Sequence, residues 1–169
     1  MEPNEAKTRR LYDAVWNERR LDLVDEWVTP DFVGHYSMYP EPIRGIEGFR
    51  AMVEEALAAM PDLRMDVVET IAAADKVVSR VRMTGTHTGP IQGFAPTGQR
   101  IDVQYIAIEH YAAGKCVEEW VRGDDLGLSR QIGALPPPGS LAERIALRLH
   151  ALRAVRMRGK ARRPSRDRS

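Results

Sequence analysis

The run Gly114-Lys115-Cys116-Val117-Glu118-Glu119-Trp120-Val121-Arg122-Gly123-Asp124-Asp125-Leu126-Gly127-Leu128-Ser129-Arg130-Gln131-Ile132 decides how the chain is read. Ala113-Gly114-Lys115 reads as a turn, and a strand follows it. Side chains alternate across a strand, so Cys116, Glu118, Trp120, Arg122 and Asp124 are expected on one face. Two carboxylates and an indole on one side of one strand are an unusual make-up for a plain core strand. If that face points inward, burial would favour the protonated form of Asp124 and make it a usable proton shuttle. The other reading is that Asp124 and Asp125 cap a short helix beginning at Leu126. These residues alone leave both readings standing.

Working back from this run, Ile101 to Tyr111 alternates Val103, Tyr105 and Ala107 on one face with Ile106 and Ile108 on the other. Both faces are partly apolar, so one is expected to cover a core and the other to meet a partner in a sheet-to-sheet dimer. Lys76 to Thr86 and the alternation around Leu63, Met65 and Val67 are further strands, and Gly89 to Gly98 is a loop rich in Gly and Pro. Ahead of them the period changes. Leu11, Val15 and Trp16, then Leu21, Val24, Trp27 and Val28, recur at helical spacing, and Thr29-Pro30-Asp31 stops the second stretch. Phe32 to Tyr36 is a short apolar segment running into a loop. A third helix is expected from about Gly48 to Met60, ended by Pro61. Helices followed by long strands predict an α+β fold with a curved, mostly antiparallel sheet.

The 169 residues suit one domain with a sizeable core, and 43% hydrophobic with 29% charged residues is the profile of a globular protein. A single cysteine, Cys116, excludes an internal disulfide framework and a thiolate zinc site. Met1-Glu2-Pro3-Asn4-Glu5 is polar and acidic, unlike a secretory leader, so a cytoplasmic protein is the expectation. The net charge of +1 conceals two halves. Residues 1–139 hold 15 Lys and Arg against 22 Asp and Glu, a net of −7, while residues 140–169 hold 10 against 2, a net of +8. Pro136-Pro137-Pro138-Gly139 separates them as an extended linker. The predicted organisation is a body over 1–135, a linker over 136–139 and a basic tail over 140–169. The tail opens with the capping-box pattern of Ser140 and Glu143. Leu141, Ile145, Leu149 and Leu152 follow on one stripe, an amphipathic basic helix ahead of an arginine-rich end. That stripe can pack on the body or on a neighbouring subunit. The charge also permits an acidic carrier protein, an anionic membrane surface or RNA without selecting among them.

Seven short strings in unbroken order, from about Leu11 to Leu135, carry a resemblance. They are Asp31-Phe32-Val33-Gly34-His35, Gly45-Ile46-Glu47-Gly48-Phe49, Met60-Pro61-Asp62-Leu63, Gly85-Thr86-His87-Thr88-Gly89, Gly93-Phe94-Ala95-Pro96-Thr97-Gly98, Gly114 through Trp120, and Asp124 with Leu126-Gly127-Leu128. Together they resemble the SnoaL-like polyketide and ester cyclases of the nuclear-transport-factor-2-like superfamily. The resemblance implies a conical α+β barrel, three N-terminal helices packed on a curved sheet around a deep apolar pocket. It also implies that Asp124, four residues after the tryptophan, is the general acid/base. Its further implications are His35 and His87 as catalytic or near-catalytic groups.

The implied chemistry, ring closure of a polyketide or similar hydrophobic molecule in secondary metabolism such as antibiotic biosynthesis, needs no metal and no cofactor. One positioned carboxylate can take a proton flanked by carbonyls and return it to the new alkoxide. Positioned proton transfer contributes roughly 10²–10⁴-fold. The same pocket with other polar groups suits isomerase or lyase chemistry, epoxide opening or hydroxylation, and a non-catalytic protein holding a hydrophobic ligand is the remaining alternative. Candidate ligand contacts are Trp120, Gln104, Tyr36, Phe49, Met52 and Glu118. His110, beside a turn, reads as exposed, and no local spacing supports a metal site built from His35, His87 and His110.

Overall fold

The computed structural model describes residues 2–161, with side chains through residue 154. The chain divides into two compact units, residues 1–134 and residues 135–169. In the first, helix α1 (Asn4–Leu11) runs straight into a wide π-helical turn, Tyr12–Asn17, which presents Tyr12, Val15 and Trp16 inward. A 3₁₀ turn at Leu21–Leu23 and the single-turn helix α2 (Val24–Trp27) follow.

Strand β1 (Val28–Tyr36) comes next. The helix ends at Trp27, ahead of the expected stop at Thr29-Pro30-Asp31, and those three residues are already part of the strand, which is therefore longer than the short apolar segment its sequence suggests. After β2 (Ile43–Arg44), helix α3 (Gly45–Ala59) buries Phe49, Met52 and Val53 at three-to-four spacing. Its first residue, Gly45, has φ +67, and a Cβ there would lie 2.9 Å from the Pro30 carbonyl oxygen. Phe49 packs edge-on against Trp27 and Phe32, with ring centroids 5.4 Å apart in each pair.

Strands β3 (Arg64–Ala73), β4 (Lys76–Thr86), β5 (Arg100–Ala112) and β6 (Lys115–Gly123) form an antiparallel meander, and β6 pairs parallel with β1. The sheet order is β2-β1-β6-β5-β4-β3. Ala113 (φ +48) and Gly114 (φ +76) make the two-residue β5–β6 hairpin, whose successive positive φ values match the right-handed twist of the strands. One sheet face buries Val77, Val81, Ile101, Val103, Ala107 and Tyr111 against the helices. The other presents Ile71, Val78, Ile108, Trp120 and His35 as register neighbours in a row across five strands.

Helix α4 (Asp125–Gln131) closes the first unit. The second contains α5 (Leu141–Ala161). At its start Ser140 Oγ accepts from the Glu143 N–H at 3.1 Å, and Glu143 reaches back to the Gly139 N–H. Leu141, Ile145, Leu149 and Leu152 are exposed, and so is Leu147, which helical geometry turns away from their stripe. The expected stripe is therefore blurred by an apolar residue on the far side. The stripe's continuation at Val155 or Arg156 and the arginine-rich end lie outside the described side chains. No helix among the described residues is long and apolar enough to cross a membrane.

Candidate active site

The concave side of the sheet and the helices enclose a cavity of about 1090 Å³, counted out to its open mouth. Its wall is mostly aromatic and methionine, with Trp16, Trp27, Phe49, Met52, Met60 and Met83 among the lining residues. Among the described residues no lysine or arginine lines it, and its ionisable groups are His87, Glu119, Asp124, Asp125 and the tyrosines.

The path of β6 explains which of its residues arrive there. Tyr111 pairs with Cys116 and His110 with Glu118, so Val117 is an extra residue, a β-bulge that resets the alternation. Cys116 is buried on the inner face ahead of the bulge, and beyond it Glu119 and Val121 take the inner positions. The unbroken alternation expected from sequence put Glu118 and Trp120 in the inward set with Cys116. In the structure they lie on the outer face. Trp120 is 43% exposed and stacks on His35 with ring centroids 3.8 Å apart, while Arg122 sits 5.5 Å above its ring. His35 Nε2 meets Glu118 Oε1 at 3.0 Å. His35, Glu118 and Trp120 thus form an outer-face cluster, separated from the cavity by the sheet.

The cavity does gather Asp124, His87, Tyr36, Phe49 and Met52. Gln104 borders it near Asp124, whose N–H points to the Gln104 carbonyl at 3.4 Å, but its side chain turns outward and accepts from Arg80. His110 is on the outer face, paired with Asp75 at 2.8 Å.

Asp124 is exposed, so the burial that the inward reading required is absent, and the capping reading is the one the structure bears out. Asp124 is the N-cap of α4, with Oδ1 accepting from the Gly127 N–H at 2.8 Å, and it also lines the cavity, near the solvent. Gly127 permits this, because a Cβ there would lie 2.0 Å from Asp124 Oδ2. Gly127→Ala is therefore a local probe. Alanine favours a helix interior by about 1 kcal/mol over glycine, yet it must push the carboxylate aside. The expected result is at least a tenfold loss of turnover with little change in melting temperature. Unchanged turnover would show that the seat of this carboxylate does not matter.

His87 follows β4 and is fully buried. Its N–H donates to the Gln99 carbonyl at 2.9 Å and its Nδ1 lies 3.2 Å from Thr97 Oγ1, but its Nε2 is buried with no hydrogen-bond partner among the described residues. The loop beyond is tied down where the Thr88 and Gly89 N–H groups both donate to the Ala59 carbonyl. A buried polar atom without a partner is costly, and His87 lines a cavity that can supply one.

The deepest polar feature was not foreseen. Glu109 and Glu119 face each other across β5 and β6, and both are buried, at 0% and 4% exposure. Glu109 accepts from Thr8 Oγ1 at 2.9 Å, Trp27 Nε1 at 3.0 Å and Tyr111 Oη at 3.3 Å. Glu119 accepts a very short hydrogen bond from Tyr36 Oη and a longer one, 3.4 Å, from Tyr12 Oη. Burial pushes both carboxyls well above the usual range. Mutual repulsion adds to the rise at Glu109, and the tyrosine hydrogen bonds hold Glu119 back in part. Burial next to Glu119 likewise raises the Tyr36 and Tyr12 hydroxyls. Only Glu119 of the pair lines the cavity. One sequence signal was available: Glu109 falls in register with the inward Val103, Tyr105 and Ala107, an acid on an otherwise core-facing row.

Glycine sets this geometry too. A Cβ on Gly34 would lie 2.5 Å from the Tyr36 ring and 3.0 Å from that of Phe32. Gly34→Ala should displace Tyr36 from Glu119 and lower stability by about 1–3 kcal/mol, as overpacking does. Chemical denaturation would read this, and an unchanged midpoint would mean that the ring moves freely.

Residues 6–132 match the family of SnoaL-like polyketide cyclases. A curated relative, aklanonic acid methyl ester cyclase AcmA of Streptomyces galilaeus, is 28% identical over 131 residues, covering 76% of this chain and 89% of the relative. Among solved structures, a protein described as a SnoaL-like polyketide cyclase from Jannaschia sp. CCS1 superposes with a TM-score of 0.71 at 29% identity, covering 79% of this chain and 93% of its own. TsrD from Streptomyces laurentii gives 0.70 at 29% identity, covering 80% and 99%. The curved α+β sheet and its helices are the shared fold, and the match takes in both His87 and Asp124. The chain belongs to the SnoaL-like polyketide cyclase family.

Proposed function

We propose that this protein closes a ring in a hydrophobic, polyketide-type substrate by acid/base catalysis that needs no cofactor, with Asp124 as the proton carrier. The observation that carries the proposal is the pairing, in one apolar cavity, of a solvent-reachable carboxylate with the buried, unpartnered Nε2 of His87. The Asp124 carboxylate takes a proton from a carbon flanked by two carbonyls. The resulting carbanion adds to a third carbonyl of the same molecule, which forms the carbon–carbon bond. The alkoxide then recovers the proton from Asp124. Nothing is oxidised or lost, and the product is an isomer of the substrate. His87, in the tautomer whose Nδ1 accepts from Thr97, presents an Nε2 proton to a substrate oxygen and fixes the approach. His35 has no part in this, because it lies behind the sheet.

The first test is ring closure of aklanonic acid methyl ester, the compound in the relative's name. Conversion to an isomer by purified protein, undiminished by a chelator, is the expected result. Tight binding without conversion would replace the enzyme by a ligand-holding protein.

The outer row of Ile71, Val78, Ile108, Trp120 and His35 supports the further proposal of a homodimer through this sheet face. Val78 is half-buried, while Ile71, Ile108 and Trp120 are exposed. Sedimentation of the full chain should show a dimer, and Ile108→Glu should give monomers by placing two like charges in a dry interface. A dimer that survives Ile108→Glu would move the interface elsewhere.

A further inference from the structure

On the reading that the cavity takes a hydrophobic ligand, a second polar centre inside it calls for a role. Glu119 is buried within β6, whereas Asp124 lies beyond the end of that strand, exposed at the start of α4. The proton removed in an aldol closure and the alkoxide formed lie within a few ångströms of each other. With Asp124 serving those atoms, Glu119 is left to meet another part of a ligand in the same cavity.

We infer that Glu119, with the hydroxyls of Tyr36 and Tyr12, is a subsite for a neutral ketone oxygen at the ligand's leading end, and that the protonated carboxyl supplies its hydrogen bond. Counting protons shows why. Tyr36 and Tyr12 each have one hydroxyl proton, and both are directed at Glu119. With Glu119 ionised, its two oxygens absorb both protons and none is left for a ligand. With Glu119 protonated the cluster holds three protons, one more than the two that tie it together. The spare one is available to an acceptor in the cavity that Glu119, Tyr36 and Tyr12 all line. A ketone accepts and cannot donate, so it fits this cluster only in that state. A carboxylate would meet Glu119, with Glu109 behind it, and no lysine or arginine among the described residues of the cavity wall to receive it.

Glu109 sits behind Glu119 on β5, so full ionisation would set two charges side by side in a buried place. The two titrate as a pair: burial pushes both well above the usual range, and the charge of Glu119 adds to the rise at Glu109. The other ionisable groups against Glu119 are Tyr12, Tyr36 and Tyr105, with Cys116 and Tyr111 close by. All are held above their ordinary values. His87 lines the same cavity and is a second donor that the experiment must tell apart from Glu119.

The probes are 2-acetylnaphthalene and its apolar isostere 2-isopropenylnaphthalene, with dissociation constants measured by equilibrium dialysis at pH 6 and pH 9. At pH 6 the ketone should bind about tenfold tighter than the alkene, the worth of one good buried hydrogen bond. By pH 9 the ratio should fall to about one while the alkene's affinity holds. Glu119→Gln, whose amide is a donor at every pH, should keep a tenfold ratio at both. A ratio near one at pH 6, or one that does not change with pH in the wild type, overturns the inference. So does a pH-dependent ratio that persists in Glu119→Gln, which would assign the donor to His87. Failure of the alkene itself to bind is a different result, because it removes the ligand cavity of the proposed function and this subsite with it.

Discussion

Asp124→Asn is expected to lower turnover by about 10²-fold or more, the low end for a positioned acid/base group, and to leave the fold intact. The two roles of this residue separate cleanly in that substitution. Asparagine caps helices about as well as aspartate, so the bond to the Gly127 N–H and the start of α4 survive, and the melting temperature should stay within about 1–2 °C of wild type. What asparagine cannot do is carry a proton. Ligand affinity, set by the aromatic and methionine wall, should be almost unchanged, so the loss belongs to kcat rather than KM. Full activity in Asp124→Asn would leave Asp124 as a helix cap alone and would direct attention to His87 and Glu119.

The sequence pointed to the right architecture because its strongest signals are periodic. The alternation of β5 put Val103, Tyr105 and Ala107 on one face and Ile106 and Ile108 on the other, and the structure keeps that division, with the first set inward. The alternation of β6 misled for one local reason. The extra residue at Val117 reverses the phase, and a one-residue shift carries every later side chain to the opposite face. Glu118 and Trp120 accordingly exchange places with Glu119. Nothing in Cys116-Val117-Glu118 announces a bulge, because bulges depend on how two strands meet. β1 was legible only in part, since Pro30 reads as a stop and its neighbour in the sheet, β6, lies more than eighty residues away in the chain. Asp124 and His87 were singled out through the family pattern, and the structure adds their settings: a capped, solvent-reachable carboxylate and a buried nitrogen without a partner among the described residues. The Glu109–Glu119 pair could be seen only once β5 and β6 were set in register.

That pair leads to the prediction with the largest effect on stability. The wild-type protein should become less stable as pH rises from about 5 to about 9, opposite to the usual behaviour of carboxylates held in salt bridges. The sign follows from proton binding. In the unfolded chain both glutamates ionise near 4.5, whereas in the fold burial holds them protonated up to about 7 and about 8. Between these limits the folded state binds more protons than the unfolded one, so stability falls with each step in pH. The stabilisation is complete below about 4.5 and gone once the pH has passed the folded values. Glu109→Gln should remove most of this dependence. Its amide oxygen can accept from Trp27 and Tyr111 in place of Glu109 Oε1, while its amide nitrogen donates to Thr8, whose own proton turns to Tyr111 Oη, 2.7 Å away. The Thr8, Trp27 and Tyr111 donors each keep an acceptor, one amide hydrogen is left over, and the second buried charge of the pair is gone. At pH 8.5 the variant should be more stable than wild type by roughly 3 kcal/mol, and at pH 5 the two should differ by less than about 1 kcal/mol. Urea denaturation at the two pH values measures both quantities. A wild-type stability that climbs with pH over this window would mean that both carboxyls are ionised in the fold and held so by their donors, leaving no proton at the floor of the cavity.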